Sequence, residues 1–414
     1  MLSLDEALAR LIDGAAAARI TDIENVATFG ALDRVLAVDV VSAIDVPPAD
    51  NTSMDGYALR VADLERAGAV LPVAQRIPAG VVGAALVAGT AARIFTGAQV
   101  PAGADAVVMQ EQCEAVEGGG VRINVMPQSG QWIRRRGEDV RIGATVLVQG
   151  SRLTPQALGL AAGIGAATLS VVRRPRVALF STGDELVMPG AVAPEALPPG
   201  AIYNSNRFTL RGLLQAAGCD VTDLGIVPDR LDATRVALRK AAAAHDLILS
   251  SGGVSVGEED HVKSAVAAEG RIEMWQVAIK PGKPLAFGAV RRELAGSGGE
   301  SLFIGLPGNP VSSFVTFLLA VGPVLRALQG LPAACAHALS LPAHFDWSRP
   351  DRRREFLRVR RNGEGGLDLF PNQSSGVLTS AVWADGLVDN PPGRAIARGD
   401  LVAYRPWVDL MGLA

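Results

Sequence analysis

The spacing of hydrophobic residues changes several times along the 414-residue chain. Near the start, Leu4, Leu8 and Leu11 recur at the spacing of one helix face. Ser3 and Glu6 stand before them in the pattern of a capping box, in which each residue satisfies a free backbone amide at a helix start. The chain is therefore predicted to begin with an amphipathic surface helix.

Two regions of different residue composition follow before the middle of the chain. Residues 41–137 are rich in glycine, proline and short Val/Ile runs, which predicts small antiparallel sheets. Residues 138–172 contain a strand-like run at 145–148 and then a helix. Thr154 is the predicted N-cap of that helix and Pro155 its first residue, because proline has no amide to lose there.

Residues 173–328 alternate between apolar strands and helices of ten or more residues, which predicts a doubly wound α/β sheet. The strands are continuously apolar, as suits a sheet covered on both faces. We expect strands at 177–180, 221–227, 246–249, 275–279, 285–290 and 302–304, and helices at 206–217, 232–244 and 260–268 and after residue 310.

The last part of the chain, residues 329–414, returns to short strands and turns. Strand-like runs at 356–359, 367–370 and 401–404 predict a small β-barrel or sandwich. The predicted fold class is thus multidomain, with a central doubly wound α/β domain between β-rich regions.

Composition and charge limit the kinds of protein that this chain can be. Apolar residues make up 49% of the chain, charged residues 20%, and the formal net charge is -3. This predicts a soluble globular protein. Its small net charge gives no overall positive potential that would attract nucleic acid or anionic lipid. The apolar run at 314–325 contains a Gly-Pro pair and is interpreted as a core helix too short to span a membrane. Three well-separated cysteines without a CxxC pair, and no visible secretory signal, favour the reducing cytoplasm.

Candidate chemistry follows the predicted strands. In an open α/β sheet, ligands bind beyond the carboxyl ends of the strands. The segments that should meet at this edge are 181–185, 228–229, 250–255, 280–284 and 306–310.

These segments suit a phosphorylated ligand. Glycines let backbone amides approach phosphate oxygens closely, and a helix N-terminus adds partial positive charge. Lys280 and Lys283 can supply full charges. The residues predicted to hold the ligand in these loops are Ser250, Gly252, Gly253, Ser255, Lys283, Pro307, Gly308 and Asn309.

Three carboxylates lie among the same segments. Glu185, Asp229 and Asp260 would repel an anion unless a cation bridges them, and Mg²⁺ is the natural hard cation for carboxylates plus phosphate. We therefore predict a magnesium site on these three residues.

Each feature also has a structural interpretation. Gly-Gly after a strand is commonly a turn, Pro-Gly-Lys-Pro can be a rigid surface loop, and either aspartate can cap a helix. Residues 253–257 match the G-x-S-x-G pattern of serine hydrolases, but the chain already forms a loop before this serine, and no convincing triad histidine follows. The Walker P-loop signature is absent.

Read as an ordered set, the motifs resemble the molybdopterin molybdenumtransferase family, which includes bacterial MoeA proteins and the E-domain of gephyrin. The resemblance covers essentially the whole chain. Its blocks are residues 51–57, 95–97 with 101–110, 135–139, 181–186, 251–256 with 260, 279–284, 306–310, 353–358 and 373–375.

The resemblance implies a homodimer with four domains per subunit: a discontinuous helical domain (1–40 and 138–172), a β-rich domain (41–137), an α/β domain (173–328) and a C-terminal β-barrel domain (329–414). Its active cleft would be shared between subunits. The implied substrates are adenylylated molybdopterin and molybdate, with Mg²⁺ as cofactor and AMP released. Other proteins of molybdenum cofactor synthesis are implied partners.

The family's functional positions fall on residues present in this chain. The implied catalytic residues are Asp55, Thr96, Glu185, Asp229, Asp260 and Lys280. Arg353 and Ser375 would bind an anion, plausibly molybdate. Residues 351–361 hold six arginines, Arg353 among them, and this run is interpreted as a solvated edge strand. Where some relatives carry a lysine, this chain has Gln276, which puts the anion contact at that point in question.

Two alternative functions differ from this one. A gephyrin-like scaffold would not need the acids and lysines at the sheet edge, and no appended binding domain is visible. A molybdopterin adenylyltransferase would resemble only the α/β region, whereas the β-rich and C-terminal blocks match as well.

Overall fold

A computed structural model describes residues 1–254, 261–292, 299–332 and 338–412. The chain divides into two compact units. The first comprises Met1–Glu24, Asp33–Val35 and Val171–Ala414, and the second comprises Asn25–Leu32 and Leu36–Ser170. The division into four domains stays a prediction, and the N-terminal helix belongs to the same unit as the α/β region.

Two helix starts follow from their capping residues. Ser3 and Glu6 form the expected capping box, and the Thr154 side chain accepts from the Ala157 amide ahead of Pro155. The helices are α1 Leu4–Ala17, α2 Pro155–Gly163, α3 Ser205–Ala216, α4 Leu231–Ala242, α5 His261–Glu269, α6 Pro310–Thr316, α7 Gly322–Leu328, α8 Thr379–Trp383 and α9 Trp407–Leu410.

The strands of the N-terminal half are short. They are β1 Ile23–Ala27, β2 Val40–Val41, β3 Asn51–Thr52, β4 Gly56–Leu59, β5 Ala69–Ile77, β6 Ala91–Ile94, β7 Ala106–Met109, β8 Cys113–Val116, β9 Gly120–Ile123, β10 Ile133–Arg134, β11 Thr145–Leu147 and β12 Thr168–Val172.

Longer strands follow in the C-terminal half. They are β13 Arg176–Thr182, β14 Leu186–Val187, β15 Ile202–Tyr203, β16 Asp220–Val227, β17 Leu247–Ser251, β18 Gly270–Gln276, β19 Ile279–Lys280, β20 Pro284–Arg291, β21 Glu300–Leu306, β22 Leu339–Pro342, β23 Arg354–Arg361, β24 Leu367–Leu369, β25 Gly386–Asn390 and β26 Leu401–Pro406.

The predicted α/β sheet is present, in the strand order β16-β13-β17-β21-β20-β18. The first four strands are parallel, and β20 runs antiparallel to them. Strand β18 pairs antiparallel with β20 and so points in the same direction as the first four. One expected strand was wrong: residues 275–279 do not form a single strand. Strand β18 ends at Gln276, and Ile279 and Lys280 leave this sheet to pair with β23.

Helices cover both faces of this sheet. Helices α3 and α6 contact each other over one face, and α4 and α5 contact each other over the other. Apolar side chains of α4 and α5 pack on Ala178, Phe180 and Ile248 to form a fully buried core. This burial on two sides explains why the strands read as continuous apolar runs.

The apolar helix after β21 is longer than expected. Residues Pro310–Leu328 form one helix with a π-helical segment, Phe317–Val321, at its middle. Among the described residues it is the one helix with the length and apolar character to cross a membrane, so the expectation that the run is too short was wrong. Its most apolar window is 83% buried inside the protein, which is the pattern of a core helix.

The C-terminal strands form one sheet in the order β19-β23-β25-β26-β22, with β24 also paired to β23. The interpretation of the arginine run as a solvated edge strand was wrong, because β23 is hydrogen-bonded to β19, β24 and β25. Arg358 in this strand is 1% exposed. Arg354 forms an ion pair with Asp389, which is also buried.

The second unit contains a β-rich sheet in the order β7-β4-β6-β5-β9-β8. Its pairs are antiparallel as predicted, except that β5 and β6 run parallel. Leu59, Val108 and Ile123 are among the side chains that form its buried core.

Candidate active site

A cavity of about 980 Å³ lies at the carboxyl ends of β13, β17 and β21, where the strand-order rule places a ligand. It brings together most of the residues that the sequence predicted for the first unit. Those that line it are Glu185, Asp229, Gly252, Gly253, Lys280, Lys283, Pro307, Gly308, Asn309, Arg353 and Ser375.

One part of the cavity wall is acidic. Glu185 and Asp229 line it, and no cation lies within ion-pair distance of either carboxylate in the part of the chain that the structure describes. Asp229 accepts a long hydrogen bond from the Thr182 hydroxyl (3.4 Å), and its amide donates to Asp184. Two unpaired carboxylates at a cavity wall leave oxygen ligands open to a hard cation.

The loop after β17 depends on two glycines. Gly252 and Gly253 have φ of +89° and +66°, a conformation that side chains rarely adopt. A Cβ on Gly252 would also lie 2.7 Å from the Thr182 carbonyl oxygen. The chain thus turns sharply at Gly252 and Gly253, although the strand before them extends to Ser251 and the expected loop at 250–253 is shorter.

Asn206 joins two of these loops, and the sequence analysis missed it. Its amide nitrogen donates to the Ser251 hydroxyl (2.9 Å) and to the Gly308 carbonyl (2.7 Å). The side chain is 9% exposed, on the first turn of α3, whose N-cap is Asn204. The sequence offered only a polar residue at a predicted helix start as a signal. The burial of Asn206 and its contacts to the two loops are visible only in the tertiary structure.

Another part of the wall carries basic residues, of which Lys280 and Arg353 are paired with carboxylates. The Lys280 ammonium lies 3.2 Å from the fully buried Glu355 carboxylate and 3.6 Å from Asp351. Arg353 forms a two-pronged contact with Asp351 and thereby holds the pKa of that carboxyl well below its usual range. Lys280 is therefore not the free cation that the sequence suggested, although 37% of its side chain stays exposed.

The segment that carries Ser375 is held from two sides. The Val311 amide donates to the Ser375 carbonyl (3.0 Å), which ties the segment to the start of α6. The Arg358 guanidinium donates to the Ser374 carbonyl (3.3 Å) and to the Ser380 hydroxyl (3.1 Å). Burial lowers the pKa of Arg358 to about 10, so it remains a cation at neutral pH. These contacts place a buried positive charge behind the Ser374–Ser375 wall.

Asp55 and Thr96 lie in the second unit and contact each other. The Thr96 amide and hydroxyl both donate to the same Asp55 oxygen, at 2.7 Å. These two bonds, with a smaller contribution from Arg93, lower the pKa of Asp55. Two loops 41 residues apart are thus joined into one polar surface.

Two described residues singled out in the sequence do not line this cavity, and two more fall outside the described residues. Ser250 is fully buried within β17 and does not line the cavity, because its side chain points into the sheet's covered layers. Gln276 is exposed at the end of β18, also outside the lining. Ser255 and Asp260 lie outside the described residues. Among the described residues no group of three metal-ligating side chains occurs, so the predicted magnesium set is represented by Glu185 and Asp229.

Comparison with known families accounts for nearly the whole chain. Residues 2–165 match the MoeA N-terminal region (domains I and II), residues 178–327 a probable molybdopterin binding domain, and residues 340–407 the MoeA C-terminal region (domain IV). A molybdopterin molybdenumtransferase of Haemophilus influenzae is 36% identical over 423 aligned positions, covering 100% of both chains. The chain belongs to the molybdopterin molybdenumtransferase family.

Other relatives agree with this assignment. A molybdopterin molybdenumtransferase of Nostoc is 39% identical over 75% of this chain and 70% of its own. A crystal structure of a molybdopterin biosynthesis MoeA protein from Pyrococcus horikoshii superimposes with a TM-score of 0.83, at 28% identity, over 98% of this chain and 100% of that one. The chain is thus a transferase of molybdenum cofactor biosynthesis, and its fold is that of MoeA.

Proposed function

We propose that this enzyme inserts molybdate into the dithiolene of adenylylated molybdopterin, in a Mg²⁺-dependent reaction that releases AMP. The observation that carries the proposal is a single cavity with unpaired carboxylates on one part of its wall, glycine loops beside them, and basic residues on another part. Such a cavity could bind the phosphate of one substrate and a separate oxyanion as the second substrate.

Binding of the phosphate is assigned to the glycine loops and Lys283. Gly252 and Gly253 expose backbone close to the cavity, and a larger residue at Gly252 would collide with the Thr182 carbonyl. Lys283 lines the cavity, and no described carboxylate lies within ion-pair distance of its ammonium. Its full charge is available for a phosphate oxygen.

Magnesium fits the acidic wall, since Glu185 and Asp229 present unpaired hard oxygen ligands there. These two residues, with Asp260, would hold the ion directly or through water. When bound, the ion would neutralise charge on the substrate phosphate. The Thr182 hydroxyl, which donates to the Asp229 carboxylate at 3.4 Å, would help to orient that ligand.

The molybdate site is assigned to Lys280, Arg353 and Ser375. Asp351 contacts both cations, so their charge is partly compensated before any anion arrives. We infer that this lowers the affinity for the oxyanion enough that it can leave the site and enter the product. The rate effect is assigned to positioning and charge neutralisation.

Asp55 and Thr96 are assigned to the cleft of a partner subunit in a cytoplasmic homodimer. Mixing the inactive variants Asp55→Ala and Asp260→Ala should then restore activity, since one cleft of each mixed dimer carries both lesions and the other carries neither. We expect roughly a quarter to a half of wild-type activity after random exchange. Exchange confirmed by native mass spectrometry, with no recovered activity, would show that each subunit uses its own Asp55.

The central experiment is a single reaction. Purified protein is incubated with adenylylated molybdopterin, molybdate and Mg²⁺, and AMP and protein-bound molybdenum are both measured. Equal amounts of each product, and loss of both when Mg²⁺ is omitted, are expected. Binding of the substrate without AMP release would favour a scaffold instead.

A further inference from the structure

A stack of arginine and aromatic side chains lies on the β-rich sheet of the second unit. The Arg76 and Arg93 guanidinium carbons lie 4.5 and 4.7 Å from the centre of the Phe95 ring. Arg93 also lies 5.1 Å from the Tyr57 ring. Strand register explains the arrangement, because Arg93 is paired with Arg76 on β5 and with Tyr57 on β4. We call these four residues the arginine–aromatic stack.

Neither guanidinium group has a direct ion-pair partner in the part of the chain that the structure describes. Arg93 donates only to neutral oxygens, those of the Gly56 carbonyl and the Gln110 side chain. Within the described ranges, no carboxylate lies within 4.0 Å of either guanidinium. Arg76 is exposed and Arg93 is half-buried. Two like charges on one ring repel each other, and the ring faces offset this repulsion only in part.

The stack also adjoins the Asp55–Thr96 pair. Phe95 directly precedes Thr96, and Arg93 is close enough to help lower the pKa of Asp55. The Asp55 carboxylate accepts two hydrogen bonds from Thr96 and lies beyond 4.0 Å from either guanidinium, so it forms no ion pair with them. Glu111 is linked to Arg93 through the Gln110 side chain, so Asp55, Glu111, Arg76 and Arg93 together carry a formal charge of zero, with no direct ion pair to either guanidinium among the described residues.

We propose that Arg76 and Arg93 bind a phosphate group of the substrate. Guanidinium groups are planar forks of N–H donors that match phosphate oxygens. Stacking on Phe95 leaves the donor edge of Arg76 available, whereas Arg93 already donates from both terminal nitrogens and would use its remaining N–H groups. Phe95 would hold the two forks in fixed orientation. The inference rests on the proposed function and adds a second phosphate contact, outside the cavity of the first unit.

The test compares Arg76→Gln with Arg76→Lys and with Arg66→Gln. Arg66 is an exposed turn residue of the same unit, so its variant makes the same change in net charge away from the ring. Loss of one charge-assisted contact should raise the Kd and KM for adenylylated molybdopterin about tenfold. The KM for molybdate and kcat should not change. Arg76→Lys should recover part of the affinity, and Arg66→Gln should match wild type.

Thermal unfolding serves as the folding control. Because the Arg76 side chain is exposed, Arg76→Gln should have the same melting temperature as the wild type. Wild-type affinity in Arg76→Gln, or an equal loss in Arg66→Gln, would overturn the inference. A change confined to the molybdate KM would overturn it as well. If wild-type protein binds the substrate but releases no AMP, the proposed function fails, while a binding defect confined to Arg76→Gln would still support the phosphate contact.

Discussion

Replacing Lys280 by alanine should destabilise the protein as well as weaken anion binding. Glu355 is fully buried, and its charge is compensated by the Lys280 ammonium at 3.2 Å. Its second oxygen accepts from the Trp347 indole (2.8 Å) and the Asn390 amide (3.4 Å), which are neutral donors. Without Lys280, the buried carboxylate would keep its hydrogen bonds and the more distant charge of Arg353, but it would have no cation in direct contact.

The expected cost follows from burial. Removing one partner of a buried ion pair typically costs about 3–5 kcal/mol. Lys280 is 37% exposed, so water can replace part of its effect, and we expect about 2 kcal/mol for this site. With a urea dependence of about 3 kcal/mol per molar, the unfolding midpoint should fall by about 0.7 M.

Urea unfolding followed by tryptophan fluorescence measures this shift, since the Trp347 indole contacts Glu355 directly. Lys283→Ala is the matched control, because it removes the same charge from the same loop and leaves no buried carboxylate without its ion-pair partner. Its midpoint should stay at the wild-type value. Lys280→Ala combined with Glu355→Gln should recover most of the lost stability, while anion binding stays weak.

Two results would refute this reasoning. If Lys280→Ala and Lys283→Ala unfold at the same urea concentration, Lys280 does not stabilise the buried carboxylate. If the double variant is as unstable as Lys280→Ala alone, the lost stability comes from packing rather than from the charge of Glu355.

Three further predictions concern other parts of the site. Gly252→Ala should lower the free energy of unfolding in urea by at least about 1 kcal/mol more than Gly190→Ala. Both glycines have strongly positive φ, but only at Gly252 would a Cβ lie 2.7 Å from a carbonyl oxygen. Equal losses would contradict the close approach. Arg358→Met should weaken molybdate binding at least about tenfold by calorimetry. A charge on the order of 10 Å away contributes roughly 1.7 kcal/mol per unit charge of the anion at an effective dielectric constant of about 20, and unchanged affinity would remove Arg358 from the site's electrostatics. Arg353 lowers the pKa of Asp351, so the stability from this pair is fully present above about pH 4 and is lost as the pH falls further. Asp351→Asn should therefore lose less stability than wild type between pH 5 and 2, and parallel curves would contradict this.

The cavity edge was predictable because strand order and chain direction fix it. Each parallel strand ends where the next loop begins, so the residues after β13, β17 and β21 had to gather at one edge. Lys280 illustrates the limit of this rule. Its place at the edge was expected, but its pairing with Glu355, 75 positions along the chain, required β19 to leave the α/β sheet and join β23.

Local patterns in the sequence alone determined the helix starts, the buried strands and the family. Capping boxes, apolar periodicity and glycines with positive φ act over a few residues, so their consequences can be read without the fold. The tertiary structure alone decided which charges are free. The arginines of β23 look like a solvated run, yet Arg358 is buried and Arg354 is paired with Asp389. The reason is that charge compensation depends on distances between segments far apart in sequence, which only the packed sheets define.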